Sequence, residues 1–106
     1  MSAELKIVHS TFPDRETAER IAALLVDAGL AACAQVGADL VTFYHWEGSV
    51  KKDREVSVSF KVLSARFDLF VGELQLQHPY KVPQIIAWPA SFVNKPYIAW
   101  AKGKSQ

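Results

Sequence analysis

Two side chains in this sequence stand out as candidate metal ligands, Cys33 and His78. A cysteine thiolate is a soft ligand suited to copper or zinc. Free cysteine is also among the most buried residue types and packs as a small hydrophobe. Cys33 lies in Leu-Ala-Ala-Cys-Ala (30–34), an apolar setting that favours the packed reading. His78 ends a helical pattern and precedes Pro79 and Pro83, a loop position where a side chain can serve a site. Its neutral imidazole would be a good metal ligand; a histidine at a helix C-terminus is equally favoured by the helix dipole. His9 and His45 have no ligand partner at a recognisable spacing and read as structural.

The remaining polar candidates have ordinary readings beside the functional ones. Glu55 closes the run Lys51-Lys52-Asp53-Arg54-Glu55, which is mixed in sign and keeps a strand edge soluble. Lys61 falls on the polar side of an alternating strand, and Trp46 and Tyr80 read as packing aromatics. A buried Glu55–Lys61 cluster would be of more interest, because buried charges need partners. No nucleophile elbow and no glycine-rich phosphate loop occurs, so hydrolase and phosphoryl-transfer readings have no support and no enzymatic activity is expected.

Composition narrows the classes further. The chain has 106 residues, half of them apolar, enough for one domain over 1–106 with one core. Twelve basic and eleven acidic residues give a net charge of +1, which leaves no footprint for nucleic acid or anionic lipid. One cysteine excludes an internal disulfide and fits a reducing compartment. Met1 to Leu5 lacks the apolar core of a leader, and the apolar run Ile21 to Val26 is far short of a membrane span. A cytoplasmic protein with no membrane partner is expected.

These residues are placed by a simple order of elements. Leu5 to Thr11 reads as a strand broken by Phe12-Pro13-Asp14, with Asp14 as N-cap of a helix over 15–28. Ala18, Ile21, Ala22, Leu25 and Ala28 form its apolar stripe, and Gly29 stands where a C′ glycine ends it. A second strand runs from Leu30 to Val36, is kinked at Gly37-Ala38-Asp39, and resumes over 40–46. Glu47-Gly48 suits a two-residue hairpin turn into a third strand, 49–63, which alternates Val56, Val58, Phe60, Val62 against Ser57, Ser59, Lys61. Ser64 is expected to cap a helix over 65–77 with Phe67, Phe70, Val71 and Leu74 on its apolar face. Gln84 to Trp88 gives a fourth strand, and Asn94 or Pro96 opens a last helix with Tyr97, Ile98 and Trp100. The order β-α-β-β-α-β plus a terminal helix predicts an α+β, ferredoxin-like sandwich with both main helices on one face of an antiparallel sheet.

The same order serves RNA-recognition modules, but Val-Ser-Val-Ser-Phe-Lys-Val lacks their aromatic signature. Acylphosphatase-like enzymes share the topology, yet the one asparagine, Asn94, sits by the terminal helix and no anion loop is present. The central hairpin is long for the domain: strands of about fifteen residues reach roughly 50 Å, whereas a chain this size has a radius of gyration of about 13 Å. Its tip should project, with Val41, Phe43, Tyr44 and Trp46 on both faces. A neighbouring copy is the simplest cover, so a homo-oligomer is expected.

Several stretches together resemble the CutA family, the divalent-cation tolerance proteins, over nearly the whole chain. They are Ser-Thr-Phe-Pro-Asp (10–14), Leu-Ala-Ala-Cys-Ala (30–34), Tyr44-His45-Trp46-Glu47-Gly48, Glu55, His78-Pro79-Tyr80 with Val82-Pro83, then Tyr97 and Trp100. The resemblance implies a ferredoxin-like subunit in a tight homotrimer, with hairpins reaching onto neighbours and an architecture similar to PII signalling proteins. It implies a link to copper (Cu2+) or another divalent cation and to metal tolerance, with no organic cofactor and no settled reaction; animal relatives are linked to cholinesterase anchoring. The positions that match proposed copper ligands are Ser10, Gln77 and His78, and the family has a cysteine at Cys33 near an intersubunit cleft. Only His78 of the first three is a strong ligand, so ligands would have to be pooled between subunits. Trp46, Glu55, Lys61 and Tyr80 match residues around that cleft. Two functions follow: a homotrimeric divalent-cation binder of copper type using His78, Cys33 and Ser10, or a PII-like trimeric signalling or scaffold module binding a small ligand or protein partner at intersubunit clefts.

Overall fold

The computed structural model describes residues 3–104. Met1 and Ser2, part of the segment read above for a leader, lie outside the described residues. The elements are β1 (Leu5–Phe12), α1 (Arg15–Asp27), β2 (Cys33–Trp46), β3 (Ser49–Leu63), a 3-10 turn (Ser64–Arg66), α2 (Phe67–Gln77), β4 (Ile85–Pro89) and α3 (Lys95–Lys104). The four strands form one sheet in the order β2-β3-β1-β4, with every neighbouring pair antiparallel. Each helical crossover therefore spans one intervening strand, the ferredoxin-like arrangement.

Alternation in β1 and β3 builds the core. Val8 and Phe12 from β1 meet Val56, Val58, Phe60 and Val62 from β3, covered by Ile21 and Leu25 of α1 and Phe70 and Leu74 of α2. Phe60 and Phe70 meet edge to face with centroids 5.0 Å apart. Each such buried side chain contributes about 1.5–3 kcal/mol. A second cluster, Leu5, Ala32, Leu63 and Ala101, seats α3. Asn94 opens α3, its carbonyl accepting the N–H groups of Tyr97 and Ile98 at 3.1 Å.

Asp14 caps α1 by accepting the Thr17 N–H at 2.7 Å, and that bond lowers its carboxyl pKa. At the other end Gly29 (φ 74°) lets Leu30 N–H reach the Leu25 carbonyl and Gly29 N–H reach that of Val26, a Schellman closure. This closure uses the amide of Leu30, and Ala31 N–H also bonds to Leu25. β2 consequently starts at Cys33, three residues later than the apolar run suggests.

Ser64 does not cap α2. Its hydroxyl donates to the Ala3 carbonyl at 2.6 Å and its amide to that of Glu4 at 2.8 Å, which fastens the start of β1 to the end of β3. Neither the 3-10 turn nor α2 has a side-chain cap.

The hairpin turns at Glu47 (φ 49°) and Gly48 (φ 81°), both left-handed, as a two-residue turn matched to strand twist requires. A register shift between Val36 and Asp39 marks the expected kink. β1 pairs with β3 over Val56–Leu63, so the outer half of the hairpin has only its own two strands. It projects: the extents are 46 × 27 × 23 Å. Val41, Phe43 and Val50 are half or more exposed there.

Candidate functional site

The hairpin turn fixes what faces what. It sets Trp46 opposite Ser49, Tyr44 opposite Lys51, Thr42 opposite Asp53 and Leu40 opposite Glu55. Side chains two apart in a strand share a face, so Tyr44, Trp46, Asp53 and Glu55 line one side of the hairpin root. The segment after α2 folds over that side. Together they enclose a cleft of about 570 Å³ whose walls include Trp46, Tyr44, Tyr80, Asp53, Glu55 and Lys81.

The Tyr80 hydroxyl donates to Glu55 at 2.8 Å, and the Tyr44 hydroxyl donates to Asp53. Burial, then the bond to Glu55, pushes the Tyr80 phenol well above its ordinary pKa. The bond to Asp53 raises that of Tyr44. Both phenols are neutral donors at neutral pH.

His78 anchors the segment that closes the cleft. It caps α2 and is 7% exposed. Its Nδ1 accepts the Tyr80 N–H at 3.2 Å, which leaves the proton on Nε2 to be donated to the Thr11 carbonyl at 2.9 Å. Ser10 Oγ, fully buried, lies 3.3 Å from Nε2 and donates to the Gln84 carbonyl at 2.7 Å. Phe12 stacks on the imidazole at 4.5 Å. Burial holds the His78 pKa below its ordinary value.

The expected metal ligands are only partly brought together. Ser10 and His78 are neighbours, but both imidazole nitrogens are engaged and the serine offers a neutral hydroxyl. Gln77 is turned to Glu73, 2.8 Å away. Cys33 pairs with Lys61, on the face of β3 away from the main helices, while Ser10 pairs with Val58 on the opposite face. The half-buried Cys33 borders a separate apolar groove with Ala22, Val26 and Trp100. Tyr97 has its pKa raised by burial and then by Cys33. Among the described residues no group of three or more His, Cys, Asp or Glu side chains could hold a metal ion. Within one chain the residues do not fit a copper-type site.

Of the expected cleft residues, Trp46, Glu55 and Tyr80 converge. Lys61 lies six residues along β3 from Glu55, and its ammonium reaches Gln35 at 2.5 Å and Ser59 at 3.4 Å. His9 is half-buried, paired across to Ser59 and Ile86; His45 is exposed, opposite Val50. Tyr44 and Asp53 were not singled out from the sequence as cleft residues. Counting back from Glu47-Gly48 would have placed both on the same face as Trp46 and Glu55.

A four-stranded antiparallel sheet in the order β2-β3-β1-β4 with helical crossovers defines an α+β protein of the ferredoxin-like class. The chain belongs to one family of that class, the CutA1 divalent ion tolerance proteins, whose family model matches residues 6–104. It is 34% identical over 97 residues to the divalent-cation tolerance protein CutA of Thermus thermophilus, covering 92% of this chain and 94% of that one. The CutA1 crystal structure from Shewanella sp. SIB1 superposes with a TM-score of 0.94 at 33% identity, over 99% of this chain and 98% of the other. A periplasmic divalent cation tolerance protein CutA from Archaeoglobus fulgidus superposes at 0.91 with 29% identity, over 96% and 99%. The family is named for tolerance of divalent ions and not for a reaction. No helix among the described residues is long and apolar enough to cross a membrane.

Proposed function

We propose that the chain serves divalent-cation tolerance as a cytoplasmic homotrimer, acting as a PII-like binding module whose working element is the cleft at the hairpin root. One observation carries this: the projecting hairpin has a formed cleft on one face, where Trp46, Glu55 and Tyr80 meet, and leaves Val41, Phe43 and Val50 exposed on the other. A neighbouring copy covers such residues at the least cost. His78 then works as a brace that sets Tyr80, not as a ligand.

A copper-type cation is favoured as a second reading by the placement of Cys33. Its thiol is half-buried on an edge strand and not in the helix-side core, so thiolates of several subunits could be pooled there. His78 and Ser10 join that reading only when the imidazole gives up the Tyr80 amide or the Thr11 carbonyl.

Thermal unfolding with excess Cu2+, Zn2+ or Ni2+, with light scattering alongside, separates the two. Ligand at about 100 times its dissociation constant adds roughly 2.7 kcal/mol. The binding-module reading expects a trimer with no shift that depends on His78. A copper-induced rise that vanishes in Cys33→Ser and survives in His78→Ala supports the second reading. A rise lost in His78→Ala overturns the brace.

A further inference from the structure

We infer that the cleft at the hairpin root takes an organic ammonium ion, a short alkyl diamine to match its two carboxylates. This rests on the cleft reading above and names its ligand class. Three aromatic side chains, Tyr44, Trp46 and Tyr80, border a cavity whose acidic groups are Asp53 and Glu55. Ring faces attract cations, and aromatic cages are a recurrent way to hold an alkylammonium.

Charge and the donor set favour this ligand class over others. Two carboxylates against the one basic residue of the lining, Lys81, leave the cleft negative, which disfavours an anion. Asp53 and Glu55 are two apart on one face of β3, which sets their Cα atoms about 6.6 Å apart at a rise of ~3.3 Å per residue. A divalent ion would find only these two carboxylates here, and among the described residues no group of three or more His, Cys, Asp or Glu side chains could hold a metal ion. An extended dication can place one ammonium on each carboxylate and its methylenes against the rings. Each carboxylate already accepts one phenolic O–H and retains acceptor capacity for an ammonium. The phenols, held by these bonds, fix both carboxylates at the cavity wall before a ligand arrives.

The test is isothermal titration of the assembled protein with putrescine at constant ionic strength, with butylamine and glutamate as comparison probes. Saturable putrescine binding is expected, stronger than that of butylamine. Glu55→Gln or Asp53→Asn should weaken it about tenfold, the loss of one charge-assisted contact. Light scattering and circular dichroism check that each variant keeps its assembly and fold; glutamine at 55 can still accept the Tyr80 hydroxyl. Putrescine binding unchanged by both substitutions, or no saturable heat from a folded oligomer, overturns the inference. Glutamate binding that depends on Tyr80 or Trp46, with putrescine silent, overturns the ammonium class and spares the cleft.

Discussion

Replacing His78 with alanine tests the brace at its centre. The substitution removes the Nε2–H bond to Thr11, the acceptor for the Tyr80 amide and the stack on Phe12. Each hydrogen bond is worth about 1 kcal/mol net, and the ring stack about 0.5–1.5 kcal/mol. The expected loss is about 3 kcal/mol, read by urea unfolding near neutral pH at matched protein concentration. The pH dependence has a definite sign. Burial depresses the folded-state pKa of His78, while the unfolded chain takes up the proton near pH ~6.5. The stabilisation is complete above that value and is lost as pH falls toward the folded pKa. The gap between wild type and His78→Ala should therefore narrow on going from about pH 7.5 to about pH 5.5. A gap below about 1 kcal/mol near neutrality, less than one net hydrogen bond, or a gap that widens in acid, would refute the brace.

Other perturbations follow from the same geometry. Leu74→Ala, in the fully buried core, should cost about 2–5 kcal/mol in urea unfolding. Gly48→Ala forces a Cβ into the left-handed region at φ 81° and should cost about 1 kcal/mol, seen as a lower urea midpoint. Asp14→Ala should lower the melting temperature near neutral pH and have little effect in strong acid. The depressed carboxyl pKa gives stability that is present above the unfolded value and lost as pH falls through the folded one.

Much of the fold was legible because local signals agreed with the long-range ones. The hairpin turn, the kink at 37–39 and the alternation of β3 each follow from residue type and spacing, and together they fix register. The start of β2 was not legible, because the Schellman closure after Gly29 draws on amides that a hydrophobic run cannot reveal. Ser64 was misjudged for a related reason. Its hydroxyl and amide are taken by Ala3 and Glu4, sixty residues away in sequence, and propensity for a cap is blind to that competition. Trp46, Glu55 and Tyr80, named through the resemblance, line one cleft. Within one chain Lys61 stands apart from them, six residues along β3 from Glu55. The engagement of both His78 nitrogens depends on a backbone carbonyl and a backbone amide, neither of which side-chain identity encodes.

The most direct test of the account is the mass of the metal-free protein by size-exclusion light scattering, since the exposed hairpin is what calls for a partner. The account predicts about three times the 11.8 kDa of one chain. It also predicts that Phe43→Glu with Val50→Glu shifts the mass toward one chain while the circular dichroism of the subunit is kept. A wild-type mass of one chain, with native secondary structure, would contradict it.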